Sequence, residues 1–309
     1  MIRSLILNQS KTSPQTKLAN RKPGSKSRVS PAYNLSTGVR NAIQTNNVEA
    51  IEAQIKEAQS MASNNLLKCK DFAMFFNAIM KTKDLERIEG GLLHLLEQFQ
   101  TKLVRSDVFR SSMSPLDITQ LIGGVSKIGQ LKQCATRSKG IMRKLEDEVT
   151  LKLPLFEDHQ LALVLHALGN FKHGSSHVVS EIIAEIEVNR DIDSFSLQSV
   201  VIIANAVSRL NLKLTPVVIS LWDSIFNRAS TCRFSEMQPN WPDVLLSSAA
   251  YSGLPSGQIR DDFIVGMARC VGQQYKSGFI SRERVAKAVS ALTKLGVGED
   301  IISELRMHS

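Results

Sequence analysis

A five-residue pattern recurs along this chain: small, apolar, small or polar, polar or basic, apolar. It stands as Gly124-Val125-Ser126-Lys127-Ile128, Ala167-Leu168-Gly169-Asn170-Phe171 and Ala206-Val207-Ser208-Arg209-Leu210, then as Ala250-Tyr251-Ser252-Gly253-Leu254 and Ala291-Leu292-Thr293-Lys294-Leu295. A weaker first copy is Ala78-Ile79-Met80-Lys81-Thr82, and from Ala78 the intervals between small residues are 46, 43, 39, 44 and 41. A fixed period of this size marks stacked supersecondary units, none of which can bury its apolar face alone.

The flanks of each copy say what the unit is. Ten residues ahead of the small position stand Ser114, Glu157, Ser196, Asn240 and Ser281, and four of these five are favourable helix N-caps. Ser114-Pro115-Leu116-Asp117 adds proline at the first helical position and an acid at the third. Four residues after the cap position come Phe72, Ile118, Leu161, Val200, Val244 and Val285, and eleven after it come Ile79, Val125, Leu168, Val207, Tyr251 and Leu292. Such offsets lie on one face of a helix of about four turns. A second apolar-periodic segment follows each first one, at 92–104, 140–149, 177–188, 216–228, 259–271 and, shorter, 301–307. The expectation is an all-α chain, an α-solenoid of about six helix pairs over residues 47–309, with repeats starting near 68, 114, 157, 196, 240 and 281.

Charge divides unevenly along this frame. The whole chain carries 38 Lys and Arg against 29 Asp and Glu, a formal +9. No acid precedes Glu49, while eight cations do, so the body from residue 49 onward is left with a net +1. The first 46 residues are rich in Ser, Thr, Asn, Lys and Arg, and they open on the short apolar stretch Met1-Ile2-Arg3-Ser4-Leu5-Ile6-Leu7. This composition is expected to be disordered and to serve as an organellar address, most simply to the mitochondrial matrix; another organelle or the cytoplasm is the alternative.

The ending of the first helix narrows the kind of repeat. Segments such as Ile203-Ala204-Asn205-Ala206-Val207-Ser208-Arg209-Leu210 and Ala288-Val289-Ser290-Ala291-Leu292-Thr293-Lys294-Leu295-Gly296 resemble octotricopeptide and heptatricopeptide repeats, and the helical region of FAST-kinase-like mitochondrial proteins. The resemblance runs over residues 66–309, but these repeats are longer and less even, and the compact C-terminal RAP domain of many relatives has no counterpart in the sequence. It implies a non-catalytic RNA-binding protein of organellar RNA processing, stability or translation, with mRNA or rRNA as partner. The alternative is a protein-binding scaffold among mitochondrial ribosomal proteins, such as a ribosome component or assembly factor.

RNA contacts need lysine and arginine against phosphate. One candidate set is the polar position of the signature, basic as Lys81, Lys127, Arg209 and Lys294, although a cation in the last turn of a helix also complements its dipole. A second is the window between Asp117 and Glu146, which has no acid and holds Lys127, Lys132, Arg137, Lys139, Arg143 and Lys144, with 130–140 read as a polar loop.

Catalytic chemistry is not expected. Cys69, Cys134, Cys232 and Cys270 lie far apart with no CxxC pair, which excludes a disulfide-stapled scaffold and a zinc finger. His159, His166, His173 and His177 are closely spaced, but glycine and serine interrupt the segment, and no cysteine or carboxylate completes a metal site. Gly90-Gly91 and Gly123-Gly124 match no phosphate-binding loop. No cofactor, metal or small-molecule substrate is expected. The longest apolar run, 161–168, carries His166 and is well short of the roughly 18–20 residues of a membrane span.

Overall fold

A computed structural model describes residues 31–171, 176–255 and 259–306. Among these residues there are fifteen α-helices and no strand. They follow one another as α1 (Pro31–Gln44) and α2 (Val48–Ser63), α3 (Cys69–Ile79) and α4 (Glu89–Arg105), and the single turn α5 (Asp107–Ser111). Next come α6 (Pro115–Ile128) and α7 (Ala135–Lys152), then α8 (Asp158–Phe171) and α9 (Ser176–Ala184), the last running on into a π turn, Glu185–Asn189. The series closes with α10 (Leu197–Leu210) and α11 (Pro216–Ser230), α12 (Trp241–Ala250) and α13 (Asp261–Lys276), and α14 (Arg282–Lys294) and α15 (Glu299–Arg306).

The helix contacts have a simple order. Each first helix packs on the first helix of the next pair, from α1 through α3, α6, α8, α10 and α12 to α14, and each second helix packs on the next second helix, from α2 through α4, α7, α9, α11 and α13 to α15. The buried apolar side chains between these two series form one continuous core. Local chemistry starts the helices where the spacing predicts. Ser114 Oγ accepts from the Asp117 amide at 3.2 Å while the Asp117 carboxylate accepts from the Ser114 amide at 3.0 Å, a reciprocal cap that satisfies two unpaired donors. Ser196 Oγ accepts from the Ser199 amide at 3.2 Å. Asn240 and Ser281 precede α12 and α14 without a side-chain cap bond, Asn240 because its backbone is left-handed at φ 86°.

The signature explains how closely the first helices approach. A Cβ on Gly124 would fall 2.6 Å from Phe76 Cβ and 3.0 Å from the Phe76 carbonyl carbon, so α6 lies against α3 where only glycine fits. One register on, Ser126 Oγ donates to the Ala167 carbonyl at 2.9 Å, and a Cβ on Gly169 would stand 3.1 Å from the Ala206 carbonyl oxygen. The third signature position thus faces the first position of the next copy. Of the apolar stripe, Phe72, Ile118, Leu161, Val200 and Val285, with Ile79, Val125, Leu168, Val207 and Leu292, are buried. Tyr251 is not: α12 ends one residue before it, and the ring stands 61% exposed.

Two expectations are corrected. Residues 31–44, read as part of a disordered segment, form α1, which buries Leu35, Val39 and Ala42 against α2 and α3. The rest of that segment, residues 1–30, lies outside the described residues. Residues 130–140 are not one loop: the turn ends at Cys134 and α7 begins at Ala135, with only Ser138 buried in its first five residues, so a helix with a solvated face had the composition of a loop.

Candidate nucleic-acid interface

Because first and second helices alternate in direction, the molecule has two kinds of edge. At the hairpin edge a first helix turns into its own second helix. At the crossover edge a second helix passes to the next pair. The signature closes each first helix, so Lys81, Lys127, Arg209 and Lys294 all lie toward the hairpin edge. Lys132 sits in the turn between α6 and α7, and Arg137 and Lys139 in the first turns of α7, beside Lys127. Arg143 and Lys144 lie further along α7, Lys81 closes α3 of the preceding pair, and Lys294 closes α14, two pairs beyond α10. The structure therefore brings Lys127, Lys132, Arg137 and Lys139 together on one pair, with Lys81 on the pair before it and Arg209 two pairs on, beyond α8 and α9, and leaves Arg143, Lys144 and Lys294 apart.

Each cation has its own surroundings. Arg137 donates to Glu97 and to Gln100, both at 3.2 Å, and Lys144 pairs with Asp147 at 3.3 Å. Lys294 bonds the Tyr251 hydroxyl and lies 3.8 Å from the centre of that ring. Partial desolvation, and then the charge of Arg40, lower the Lys81 pKa. Among the described residues Lys132, Lys139, Arg143 and Lys213 are exposed and have no ion-pair partner.

Arg209 is positioned. Its guanidinium donates to Asn170 Oδ1 at 2.5 Å and to Asn205 Oδ1 at 3.3 Å. With its oxygen so used, Asn170 turns its amide nitrogen to His166 Nε2 at 2.9 Å, which makes that ring nitrogen the acceptor. Burial, and then the Arg209 charge, push the His166 pKa down to about 4, so this imidazole is neutral at physiological pH. The other histidines do not join it: His159 stands 3.2 Å from Glu157, His177 stands 3.4 Å from Glu181, and His173 lies outside the described residues. No group of three or more potential metal ligands converges among the described residues. Burial raises the Cys69 and Cys134 thiols to about 12, which leaves them unreactive.

The acid-free window of α6 and α7 has two companions that the sequence reading missed. Residues 118–145, 159–180 and 194–222 contain no aspartate or glutamate. Each spans one hairpin edge, of α6 and α7, of α8 and α9, and of α10 and α11. The second window is short of cations; the third adds Lys213 to Arg209. The intervening acids, among them Glu157, Asp158, Glu185, Asp191 and Asp193, fall at the crossover edge. On either side the pattern stops: Asp84, Glu86 and Glu89 lie at the hairpin of α3 and α4, Asp261 and Asp262 open α13, and Glu299 and Asp300 open α15. Three adjacent pairs thus share a hairpin edge whose own windows hold no acid, with exposed cations on the first and third pairs. Glu89 of the preceding pair does reach the first, accepting from the Gln133 amide at 2.7 Å. The excess of cations favours polyanions. The available signal was the spacing of acids, which needs the helix boundaries to be read.

No protein-family model matches the chain, and no curated protein matches it.

Proposed function

We propose that this chain is a non-catalytic α-solenoid that binds single-stranded RNA along the hairpin edge of its central pairs and acts in organellar RNA processing, stability or translation. The observation that carries this reading is the run of three acid-free windows on one edge, with Lys132, Lys139, Arg209 and Lys213 exposed in it. Phosphate neutralisation supplies most of the affinity of such a surface, and helical pairs offer cations at a repeat spacing along an extended strand. The resemblance of the signature to octotricopeptide and heptatricopeptide repeats supports the same reading, and the acid-free, basic residues 1–30, the part of the expected 1–46 address that precedes α1, support a mitochondrial matrix address.

The test is fluorescence anisotropy with labelled single-stranded RNA across a salt series. Changing Lys132, Arg209 and Lys213 together to Glu is expected to weaken binding at least about tenfold and to reduce the salt slope by about 2, since each lost phosphate contact accounts for about 0.7. Arg137 is left intact because it already pairs with Glu97. Unchanged affinity and slope would remove the proposal.

A further inference from the structure

The hairpin edge leaves the opposite edge unexplained. Of the twelve large apolar side chains that are exposed among the described residues, ten lie at the crossover edge, and only Val217 and Tyr251 lie at the hairpin edge. Random exposure of single apolar residues needs no explanation, but a segregated row does. Its centre is Val104 in the last turn of α4 and Val108 in α5, Leu151 in the last turn of α7 and Leu155 just after it, and Val188 after α9, with Val108, Leu151 and Val188 exposed to 79%, 74% and 71%.

These turns are held in register rather than dangling. Lys152 Nζ donates to the Arg110 carbonyl at 3.2 Å and to the Met113 carbonyl at 2.9 Å, which fastens the turn carrying Val108 to the end of α7. Arg190 donates to Asp158 at 2.7 Å, which fastens the segment after Val188 to the start of α8, three residues past Leu155. The row is therefore preformed. Its charges lean acidic: Asp107, Asp147, Glu157, Asp191 and Asp193 are exposed there, against the exposed Arg105 and Lys144, the latter paired with Asp147 at 3.3 Å. Lys152 and Arg190 are turned inward onto Glu148 and Glu185, and Arg110 pairs with the exposed Asp107, so of these exposed acids Glu157, Asp191 and Asp193 have no Lys or Arg ion pair among the described residues.

We propose that the crossover edge spanning α4, α7 and α9 is a docking surface for one basic, amphipathic helix of a partner protein. Neighbouring packed helices stand about 8–10 Å apart. A helix repeats its face every seven residues, about 10.5 Å at 1.5 Å per residue. Apolar residues at i, i+7 and i+14 of the docked helix then meet Val104 and Val108, Leu151 and Leu155, and Val188 in turn, and lysines or arginines flanking that stripe meet the acids. The acids exclude RNA from this edge, so the proposal stands apart from the hairpin-edge reading.

The probe is a synthetic leucine–lysine amphipathic peptide of about 18 residues, long enough for all three contacts, titrated by anisotropy into the full chain. It binds, and its leucine–glutamate counterpart does not. Leu151→Glu with Leu155→Glu is expected to weaken binding at least about tenfold, as loss of a central apolar anchor does. Asp191→Lys with Asp193→Lys weakens it most at low salt, and Lys132→Glu with Arg209→Glu leaves it unchanged. Far-ultraviolet circular dichroism and melting of each variant confirm that the fold is retained. Binding that ignores the first two variants, or binding of the acidic peptide, overturns the proposal. So does sedimentation of the wild-type chain as a dimer that the Leu151/Leu155 variant dissolves, which would assign the edge to a second copy. Displacement of the probe by a peptide of residues 1–30 would assign it to the chain's own N-terminal segment, and would overturn the proposal equally.

Discussion

The two edges are made by the same helices, yet three cations of the crossover edge serve a different purpose from four of the hairpin edge. At the crossover edge Lys152, Arg190 and Arg284 are only 17%, 15% and 16% exposed, and each meets a carboxylate, of Glu148, Glu185 or Asp243, that is itself 9% exposed or less. At the hairpin edge Lys132, Lys139, Arg209 and Lys213 are exposed, and no carboxylate shares their windows. The physical reason lies in the connections. A short turn joins α6 to α7, α10 to α11 and α14 to α15, and few polar groups are left over. The crossovers include irregular turns whose carbonyls, such as those of Arg110 and Met113, need donors, and buried cations supply them. The sign of a charge does not tell structure from ligand binding; the distance to the nearest acid does.

The comparison breaks first, if it breaks, at Arg284. Its guanidinium reaches both carboxylate oxygens of Asp243, at 3.2 and 3.1 Å, and Asp243 is 3% exposed. Arg284→Ala strands a buried charge and should cost about 3–5 kcal/mol. The exposed Arg209→Ala should cost no more than about 0.5 kcal/mol. Chemical denaturation of both variants at neutral pH checks the pair. The pH dependence sharpens the result. Burial outweighs the pull of Arg284 and raises the Asp243 pKa, so the folded state takes up that proton more readily than the unfolded one. Stability from this group is present at acid pH and is lost as pH rises through the folded value. Removing Arg284 raises the pKa further, so the deficit of the variant must shrink as pH falls toward the ordinary aspartate range. A deficit independent of pH would mean that Asp243 is not the stranded group.

The next effect belongs to the hairpin edge and has the opposite sign. His166 is pushed from 6.5 to about 4 by burial and by Arg209, so on acidification the unfolded chain takes up a proton that the folded chain refuses. The stability present above pH 6.5 is lost as pH falls toward 4, by about 3 kcal/mol over the interval if His166 acts alone. His166→Gln keeps a hydrogen-bonding partner for Asn170 and should flatten the urea midpoint over this range. A midpoint that still falls as steeply would place the titration elsewhere.

Helix order was legible because periodicity survives any exchange of one apolar residue for another, and caps such as Ser114 and Ser196 are chemically specific. The start of α1 was not, since Pro31, Asn34, Ser36, Thr37 and Asn41 give it the composition of a tail. Gly38-Val39-Arg40-Asn41-Ala42 is a further copy of the signature 40 residues before Ala78, visible once composition is set aside. The candidate site was half legible. Lys127, Lys132, Arg137 and Lys139 share one acid-free run of sequence, whereas Arg209 and Lys213 join them only through the packing of α8 between α6 and α10. The exposed apolar row was hidden for the same reason: Val108, Leu155 and Val188 look like ordinary helix-end residues until three crossovers lie side by side.

The smallest effect separates two serines that the sequence treats alike. Ser114 and Ser281 hold the same register before α6 and α14, but only Ser114 Oγ accepts an amide, and only there does an acid three residues on return the bond. Ser114→Ala should therefore cost about 1 kcal/mol. Ser281→Ala should cost at most a few tenths of a kcal/mol, because no side-chain bond is lost and a surface change free of such features stays within about 0.5 kcal/mol. Equal losses would mean that Ser281 caps α14 in solution, and that this end of the crossover edge is as tightly fastened as its centre.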